Sequence, residues 1–251
     1  AGLTERGVPL HAIEGAAHVH RAGFWWTAAL IGPPTARLLA RAHRIGAKTS
    51  LDISTDPMGW AERRLASVRG CLAHVDTFFG NEVEVCAIGG RASPIDAADR
   101  LRDLGVGEVV LHLGAKGALR VGGGSPVRSP GFRVRADNPT GCGDVFNAGY
   151  VFARLSGANV EEALGVGNGC AALHLQSREK PYPDLRDLGR FLLGEFGQLL
   201  PPLARQYDLR DAVLLAELNL DLLLARRNTA KAFRPLPAFP AIRRDVAMLL
   251  P

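Results

Sequence analysis

Apolar positions along the chain alternate between two spacings. Short apolar runs of strand length predict strands at 17–20, 49–53, 75–79 and 109–113. Apolar residues at helical spacing predict helices at 35–45, 60–68, 95–104 and 160–175, and one further helix follows Asp144 and ends at Gly157. Because strands and helices alternate, the pattern predicts an α/β fold with a mostly parallel sheet and helices on both faces.

Polar side chains follow the ends of the predicted strands. Asp52 closes one strand, and Asn81, Glu82 and Glu84 come just after another. Lys116 lies beyond the strand 109–113. In sheets of this kind, ligands bind beyond the carboxyl ends of the strands. The sequence therefore predicts a binding site at that edge of the sheet.

A glycine-bounded turn at residues 140–144 (TGCGD) carries the clearest chemical signal. Glycines let the backbone approach a ligand closely, and the free N–H groups at a helix N-terminus attract anions. The carboxylate of Asp144 would repel a phosphate at rest, so a catalytic role as a general base on an attacking hydroxyl is one interpretation. The alternative is an ordinary turn in which Asp144 caps a surface helix.

Several segments resemble the PfkB (ribokinase-like) family of carbohydrate kinases, between about residue 17 and about residue 193. The turn and the helix after it (TGCGDVFNAG) resemble the C-terminal signature of that family. Further similarities follow in the family's order at residues 51–52 (LD), 81–84 (NEVE), 114–118 (GAKGA) and 167–172 (GNGCAA). The resemblance implies a ribokinase-like, doubly wound sheet and an ATP-dependent phosphotransferase that acts on a hydroxymethyl group of a sugar or sugar-like acceptor.

The resemblance also implies roles for individual residues. Asp144 would be the catalytic base, and Gly141, Cys142 and Gly143 would form an anion hole for the transferred phosphoryl group. Asn81 and Glu84 would hold a network of Mg²⁺, water and phosphate, with Glu82 as an alternative ligand.

The remaining assignments concern the two substrates. Lys116, Gly117 and Asn168 would contact the nucleotide, and Asp52 would either position the acceptor or cap a turn. A solvated lysine at 116 and a solvent-facing polar residue at 168 are the structural alternatives.

Two positions depart from the family pattern. The family commonly has an acid six residues before the base, where this chain has Asn138, with Asp137 one position earlier. Cys142 replaces a more usual alanine, and its place at a helix N-terminus suggests the hypothesis of a reactive thiol.

The two ends of the chain lead to a further expectation about domains. The kinase-like piece lacks counterparts of the family's N-terminal third, with its first strands, its β lid and most of its sugar-binding groups. Residues 194–251, and above all the run at 232–247 (AFRPLPAFPAIRRDVA), resemble the β subunit of bacterial phenylalanyl-tRNA synthetase. We therefore expect a partial kinase domain at 1–193 joined to a partial synthetase-like segment of α+β type at 194–251.

Composition narrows the class of protein. Hydrophobic residues make up 47% and charged residues 22% of the 251 positions, which is typical of a globular chain. The net charge of +5 is not concentrated in one stretch, so nucleic-acid binding is not indicated, and tRNA would be a partner only through a folded tail. Four scattered cysteines and the lack of a long apolar run or a signal peptide favour a cytoplasmic protein that binds no membrane.

Two interpretations of the function follow. The first is an ATP- and Mg²⁺-dependent kinase of a sugar-like small molecule. The second is a non-catalytic kinase-like fragment fused to a tRNA-associated segment, whose open sheet edge favours self-association, for instance as a homodimer. The identity of the acceptor is not encoded in the residues that match.

Overall fold

A computed structural model of the chain describes residues 3–179, 182–198, 201–206 and 214–218. The chain divides into two compact units, Ala1–Leu192 and Leu193–Pro251. The described part of the first unit contains the segments that resemble the kinases.

A six-stranded sheet forms the centre of the first unit. Its strands are β1 (His18–Arg21), β2 (Lys48–Asp52), β3 (Thr77–Asn81), β4 (Glu108–His112), β5 (Ala118–Val121) and β6 (Val127–Ser129), in that spatial order. Strands β1 to β4 are parallel, with Leu51 opposite Phe78 and Phe78 opposite Val109. Strands β5 and β6 are antiparallel additions at one edge. The mostly parallel sheet is therefore confirmed, and β5 and β6 are two strands that the sequence pattern did not reveal.

Eight α-helices accompany this sheet in the described residues. They are α1 (Leu10–Glu14), α2 (Pro33–Arg44), α3 (Glu62–Arg69), α4 (Glu82–Gly89), α5 (Pro94–Asp103), α6 (Cys142–Leu155), α7 (Val160–Gln176) and α8 (Leu185–Leu193). The predicted helices correspond to α2, α3, α5, α6 and α7, with small differences at their ends. Helices α1, α4 and α8 were not among the predicted helices, and α4 starts directly after β3.

Successive residues of the central strands pack into two different cores. Phe78 of β3 joins the core formed with α2 to α5, whereas its neighbour Phe79 joins the core formed with α6 and α7. In β4, Val109 and Val110 divide in the same way. Since neighbouring side chains of a strand point to opposite faces, helices cover both faces of the sheet, as predicted.

The second unit contains a small antiparallel pair of strands. Strand β7 (Gly194–Gln198) pairs with β8 (Leu214–Leu218), and the short helix α9 (Pro201–Gln206) lies between them in sequence. The synthetase-like run at 232–247 lies outside the described residues. The domain assignment made from the sequence therefore stays a prediction.

Two further observations concern the described residues as a whole. All four cysteines carry free thiols. No helix in these ranges has both the length and the apolar character that crossing a membrane would require.

Replacing a glycine by alanine is expected to change the free energy of unfolding in opposite directions at two helical positions, Gly89 and Gly165. A Cβ at Gly89 would lie 2.8 Å from both the Cα and the carbonyl oxygen of Ala97, where α4 meets α5. We expect Gly89→Ala to lower the free energy of unfolding by about 1–3 kcal/mol, because backbone atoms cannot move aside cheaply. At Gly165 in α7 a Cβ would meet nothing within 4 Å.

The Gly165→Ala variant is the matched control. It should raise the free energy of unfolding by about 1 kcal/mol through helix propensity alone. Urea unfolding of both variants against the wild type measures this difference, and equal effects at the two positions would contradict the close contact between α4 and α5.

Candidate active site

A cavity of about 500 Å³ opens at the carboxyl ends of the parallel strands. It lies between the ends of β2, β3 and β4 and the N-terminus of α6. The residues that line it are Asp52, Ser54, Thr55, Asn81, Glu84, His112, Gly114, Gly117, Pro139, Gly141, Cys142, Gly143, Asp144, Phe146, Asn168 and Ala171. The site residues assigned from the sequence are all in this set, apart from Lys116 and the alternative metal ligand Glu82.

A second cavity of about 310 Å³ lies at the opposite ends of the same strands. Its wall includes the charged residues Lys48, Asp76, Glu108, Arg120 and Arg154. Their charges are largely paired, with Arg120 2.8 Å from Glu108 and Lys48 3.4 Å from Asp76. This cavity is therefore distinct from the predicted site.

The glycine turn directs the first N–H groups of α6 into the larger cavity. Gly141 is the N-cap residue of α6 and has a φ of +84°, in the left-handed region that favours glycine. The carbonyl oxygen of Thr140 lies 2.7 Å from Nε2 of the buried His174, which fixes the start of the turn. The N–H groups of Gly143 and Asp144 belong to the first helical turn, where no helical carbonyl is available to accept them.

The Asp144 side chain is exposed at this helix N-terminus. Within the described part of the chain, its carboxylate has no hydrogen-bond or ion-pair partner, and no side chain caps α6. The alternative interpretation of Asp144 as the helix cap is therefore wrong, since Gly141 holds that position and Asp144 is the third residue of the helix. An unpaired carboxylate beside free N–H groups is available to take a proton from a ligand in the cavity.

Asn81 and Glu84 join the end of β3 to the start of α4. The Asn81 side chain accepts a hydrogen bond of 3.0 Å from the Glu84 N–H, and the Glu84 carboxylate accepts one of 2.9 Å from the Asn81 N–H. This reciprocal capping box satisfies two N–H groups of the helix and explains why α4 begins here. Asn81 and Glu84 therefore lie at an ordered helix start and not in an exposed strand-end loop, whereas Glu82 is exposed and outside the cavity wall.

The Glu84 carboxylate has a chemistry that fits Mg²⁺. Glu84 is buried, and its second oxygen accepts a hydrogen bond of 2.8 Å from the Thr55 hydroxyl. Each oxygen keeps a further lone pair, and Mg²⁺ prefers oxygen ligands while keeping most of its own waters. In the described residues no group of three His, Cys, Asp or Glu side chains could hold a metal, so a cation here would have few protein ligands.

The three predicted nucleotide contacts differ in position. Gly117 lies on the cavity wall with a φ of +90°, and a Cβ there would lie 2.1 Å from the carbonyl oxygen of Ser129. Asn168 is buried on the wall, and its amide group donates to Pro130 O at 3.1 Å and to Ser129 Oγ at 3.2 Å. The solvent-facing alternative for Asn168 is therefore wrong. Lys116 is exposed and outside the wall, so its assignment stays a prediction.

Asp52 and two residues that sequence analysis did not single out form a hydrogen-bonded chain. Asn147 Nδ2 donates to Asp52 Oδ2 at 2.7 Å, and Asn147 Oδ1 lies 2.9 Å from Nε2 of His112. The other Asp52 oxygen accepts the Ser54 N–H at 2.8 Å, so Asp52 caps the turn after β2, as one of its two interpretations stated. The assignment of Asp52 to the acceptor stays a prediction.

Burial shifts the pKa values of Asp52 and His112, the two residues that Asn147 joins. The pKa of Asp52 is raised from 3.8 to about 6, chiefly by desolvation, and the nearby Asp144 charge adds to the rise. Hydrogen bonds from Asn147 and Ser54 act in the opposite direction. Desolvation also lowers the pKa of His112, which outweighs the hydrogen bond to Asn147 and the nearby acids. Burial therefore favours the neutral form of the His112 imidazole.

The two departures from the family pattern also have structural outcomes. Burial raises the pKa of the Cys142 thiol, which argues against the hypothesis of a reactive thiol because a higher pKa leaves less thiolate. Asp137 pairs with Arg135 at 3.0 Å, and neither Asp137 nor Asn138 lies on the cavity wall.

His112, Asn147 and Thr55 are the functional candidates that sequence reasoning missed. His112 is the last residue of β4, so the rule that polar residues follow strand ends could have found it. The only feature of the sequence that could have indicated Asn147 is its position one helical turn after Asp144. Thr55 had none, because its partner Glu84 is 29 positions away.

The pKa of Asp52 predicts a pH-dependent contribution to stability. A carboxyl group whose pKa is about 6 in the folded chain, against an ordinary 3.8, binds its proton more tightly when folded. We therefore expect the unfolding free energy of the wild type, relative to the Asp52→Asn variant, to fall by on the order of 2–3 kcal/mol as pH rises from about 4 to about 6.

Urea unfolding of the two chains at a series of pH values measures this difference. The amide of the variant does not titrate, so the comparison removes every other acid that the two chains share. A difference that is constant with pH would contradict the raised pKa.

Comparisons with known proteins give relatives that match part of the chain. An uncharacterised sugar kinase of Archaeoglobus fulgidus is 31% identical over 121 residues, which is 48% of this chain and 48% of that protein. The aminoimidazole riboside kinase of Salmonella typhimurium is 34% identical over 111 residues, 40% of this chain and 34% of the relative. The chain thus spans about half or less of the length of these curated relatives.

A second kind of relative matches a shorter stretch. The phenylalanine–tRNA ligase β subunit of Clostridium tetani is 40% identical over 57 residues, which is 23% of this chain but 7% of the ligase subunit.

Solved structures have the same fold. A PfkB protein from Polaromonas sp. JS666 superposes with a TM-score of 0.60 at 25% identity, over 70% of this chain and 58% of that protein. A putative ribokinase II from E. coli, solved in complex with ATP and Mg²⁺, gives a TM-score of 0.66 at 21% identity, over 75% of this chain and 62% of that protein.

The family comparison agrees with the resemblance found in the sequence. The model of the pfkB family of carbohydrate kinases matches residues 4–184, which includes every residue on the cavity wall. This match covers most of the chain, and the predicted ribokinase-like fold is confirmed by the solved structures. The chain belongs to the pfkB family of carbohydrate kinases.

Proposed function

We propose that this chain transfers the γ-phosphoryl group of ATP to a hydroxymethyl group of a sugar-like small molecule. The observation that carries the proposal is the Asp144 carboxylate, which has no partner among the described residues. It lies beside the free N–H groups of the glycine turn, in the cavity at the strand ends. Family membership supports it, and one of the relatives named above is an aminoimidazole riboside kinase.

The proposed transfer divides the work between a base and an anion hole. Asp144 takes the proton from the acceptor hydroxyl as that oxygen approaches the phosphorus. In the turn formed by Gly141, Cys142 and Gly143, the Cys142 N–H already donates to the Pro139 carbonyl at 3.3 Å. The Gly143 N–H, together with that of Asp144, is available to the negative charge on the transferred phosphoryl group. These donors are held in place before the reaction, so they need not reorganise as charge develops.

In this proposal the nucleotide lies along the part of the cavity wall that contains Gly114, Gly117 and Asn168. Gly114 and Gly117 bring backbone close to the cavity, and Asn168 of α7 holds the end of β6 through Ser129 and the following Pro130. In this proposal ATP lies along these residues, and Lys116 approaches its phosphates from the exposed turn.

Mg²⁺ would be held through the Asn81 and Glu84 side chains, mainly by way of its bound waters. When bound, the ion neutralises charge on the phosphates. The chain's own contribution is the rigid orientation of the Glu84 carboxylate by Thr55 and the Asn81 N–H.

We also propose that residues 194–251 form a segment distinct from the kinase domain at 1–193. The division of the chain between Leu192 and Leu193 and the similarity to ligase β subunits over 57–59 residues support this proposal. Binding of tRNA by the full chain, measured by filter binding at two salt concentrations, tests whether that segment has a nucleic-acid partner.

Asp144→Asn is the first test of the proposed function. We expect phosphoryl transfer to fall by roughly 10²–10⁴-fold or more, since the amide cannot accept the proton, while calorimetry shows unchanged binding of ATP with Mg²⁺. Transfer is measured as ADP release with a panel of sugar and nucleoside acceptors.

The control is Asp137→Asn, which removes a nearby acid that lies outside the cavity and should leave the rate unchanged. Undiminished transfer in Asp144→Asn would refute the base. A wild-type chain that takes up no ATP would instead favour the non-catalytic interpretation.

Glu84→Gln tests the metal assignment. Glutamine can still close the capping box, so we expect the fold to persist while the Mg²⁺ concentration that gives half-maximal transfer rises about 10–100-fold. Glu162→Gln is the matched control, because Glu162 forms an equivalent capping box with Asn159 at the start of α7, and neither residue lies on the cavity wall. Equal Mg²⁺ requirements in the two variants would contradict the assignment.

A further inference from the structure

Three elements meet at one buried side chain, Asn147. It lies in the second turn of α6 and is 1% exposed. Its amide nitrogen donates to Asp52 at the end of β2, and its amide oxygen lies 2.9 Å from the His112 imidazole at the end of β4. Since β3 separates these two strands in the sheet, one amide group ties α6 to the strand ends on both sides of β3.

The Asp52 carboxylate fixes which group donates and which accepts in the hydrogen bonds that join Asp52, Asn147 and His112. An ionised Asp52 can only accept, so the Asn147 NH₂ group must face it and the Asn147 oxygen must face His112. A neutral imidazole has one N–H, and His112 must therefore carry it on Nε2. The bare Nδ1 then lies on the side of the ring next to the glycine turn, 3.5 Å from where a Cβ of Gly143 would stand.

The imidazole is also held by its neighbours. The His112 ring stacks with Phe79 at 6.3 Å and meets Phe146 edge-on at 4.9 Å between centroids. Phe146 precedes Asn147 in the same helix. The ring therefore contacts α6 through Phe146 and Asn147, and its orientation and the position of the helix start are coupled.

Asn147 and the proposed base lie on adjacent turns of one helix. Asn147 follows Asp144 by three positions, a spacing at which helical side chains are neighbours. A displacement of Asn147 would therefore displace both the carboxylate and the N–H groups that begin the helix.

We propose that Asp52, Asn147 and His112 form a positioning clamp for the N-terminus of α6, in which Asp52 acts through Asn147 to hold His112 in the Nε2–H tautomer. The proposal rests on the proposed function for its effect on turnover. None of the three residues needs to touch the reacting atoms, and they act by fixing where Asp144 and the anion hole stand.

Asp52→Asn is expected to exchange donor and acceptor in each hydrogen bond of the clamp while keeping the size and shape of the side chain. The oxygen of the introduced amide is needed by the Ser54 N–H, so the new NH₂ group faces Asn147. Asn147 must then turn its amide by half a rotation and present its own NH₂ to His112 Nε2. The imidazole becomes the acceptor, and its proton resides on Nδ1 instead.

The ¹⁵N NMR shifts of the histidine ring nitrogens report this reversal directly. At a pH well above the pKa of Asp52, we expect the wild-type His112 to show a protonated Nε2 and a bare Nδ1, and Asp52→Asn to show the opposite. His174 is the internal reference, because its Nε2 faces the Thr140 carbonyl, which can only accept, and its signals should not change.

The wild-type spectrum alone can overturn the proposal. A wild-type His112 with its proton on Nδ1 refutes the clamp even if the variant does not fold, and so does a folded variant whose His112 tautomer matches the wild type. The measurement involves no turnover. A failure of the proposed function is read separately, as the absence of ATP binding and of transfer in the wild type.

Turnover provides the second readout. We expect Asn147→Ala to lower kcat on the order of 100-fold with little change in the KM for ATP, because misplacement of the base costs rate rather than nucleotide affinity. Tyr150→Phe is the control, since it removes a partly buried hydrogen bond of α6 to Glu108 at the opposite end of β4 and should leave kcat unchanged. Equal losses of kcat in the two variants would indicate a general effect of helix packing and would refute a specific clamp.

Discussion

The hydrogen bonds of the buried Asn147 amide are the constraint on which the candidate site depends. They connect the first turns of α6 to the ends of β2 and β4, so the glycine turn and Asp144 stand over the carboxyl edge of the sheet. Leaving either end of this amide unpaired in the interior would cost roughly 1–3 kcal/mol. The same contacts that stabilise the packing of α6 therefore also fix the geometry of the proposed chemistry, and stability and function are linked at one residue.

Three acids surround a cavity that we assign to phosphates, and each is placed in a different electrostatic state. Glu84 is buried, and its oxygens accept hydrogen bonds from the Thr55 hydroxyl and the Asn81 N–H. Asp52 is buried with a pKa of about 6, so part of its charge is removed in mildly acidic solution. Of these three acids Asp144 alone is exposed, and its carboxylate has no partner among the described residues, which leaves its charge available for proton transfer. Helix N–H groups supply a compensating positive potential on a wall whose described residues include no lysine or arginine.

Much of the fold could be predicted because local patterns encode it. Buried parallel strands are short apolar runs, and the helices that cover them show a helical period, so β1 to β4 and most of the helices were found within a few residues. Helix α4 was missed because its start is a capping box of Asn81 and Glu84, whose residues also suggest a ligand loop. Strands β5 and β6 are short and follow glycine-rich turns. The part of the site in the glycine turn was predicted because its signal is local. The hydrogen bonds of Asn147 were missed because they join residues far apart in sequence, 35 positions to His112 and 95 positions to Asp52.

The central claim is that a nucleotide's terminal phosphate binds at the N-terminus of α6. Backbone amide shifts of the full chain, recorded by NMR during titration with a non-hydrolysable ATP analogue and Mg²⁺, test it most directly. The account predicts the largest changes at the N–H groups of Gly143 and Asp144, with changes at Gly117 along the same cavity. Shifts confined to the second cavity, around Lys48, Arg120 and Arg154, or no shifts at all, would contradict it.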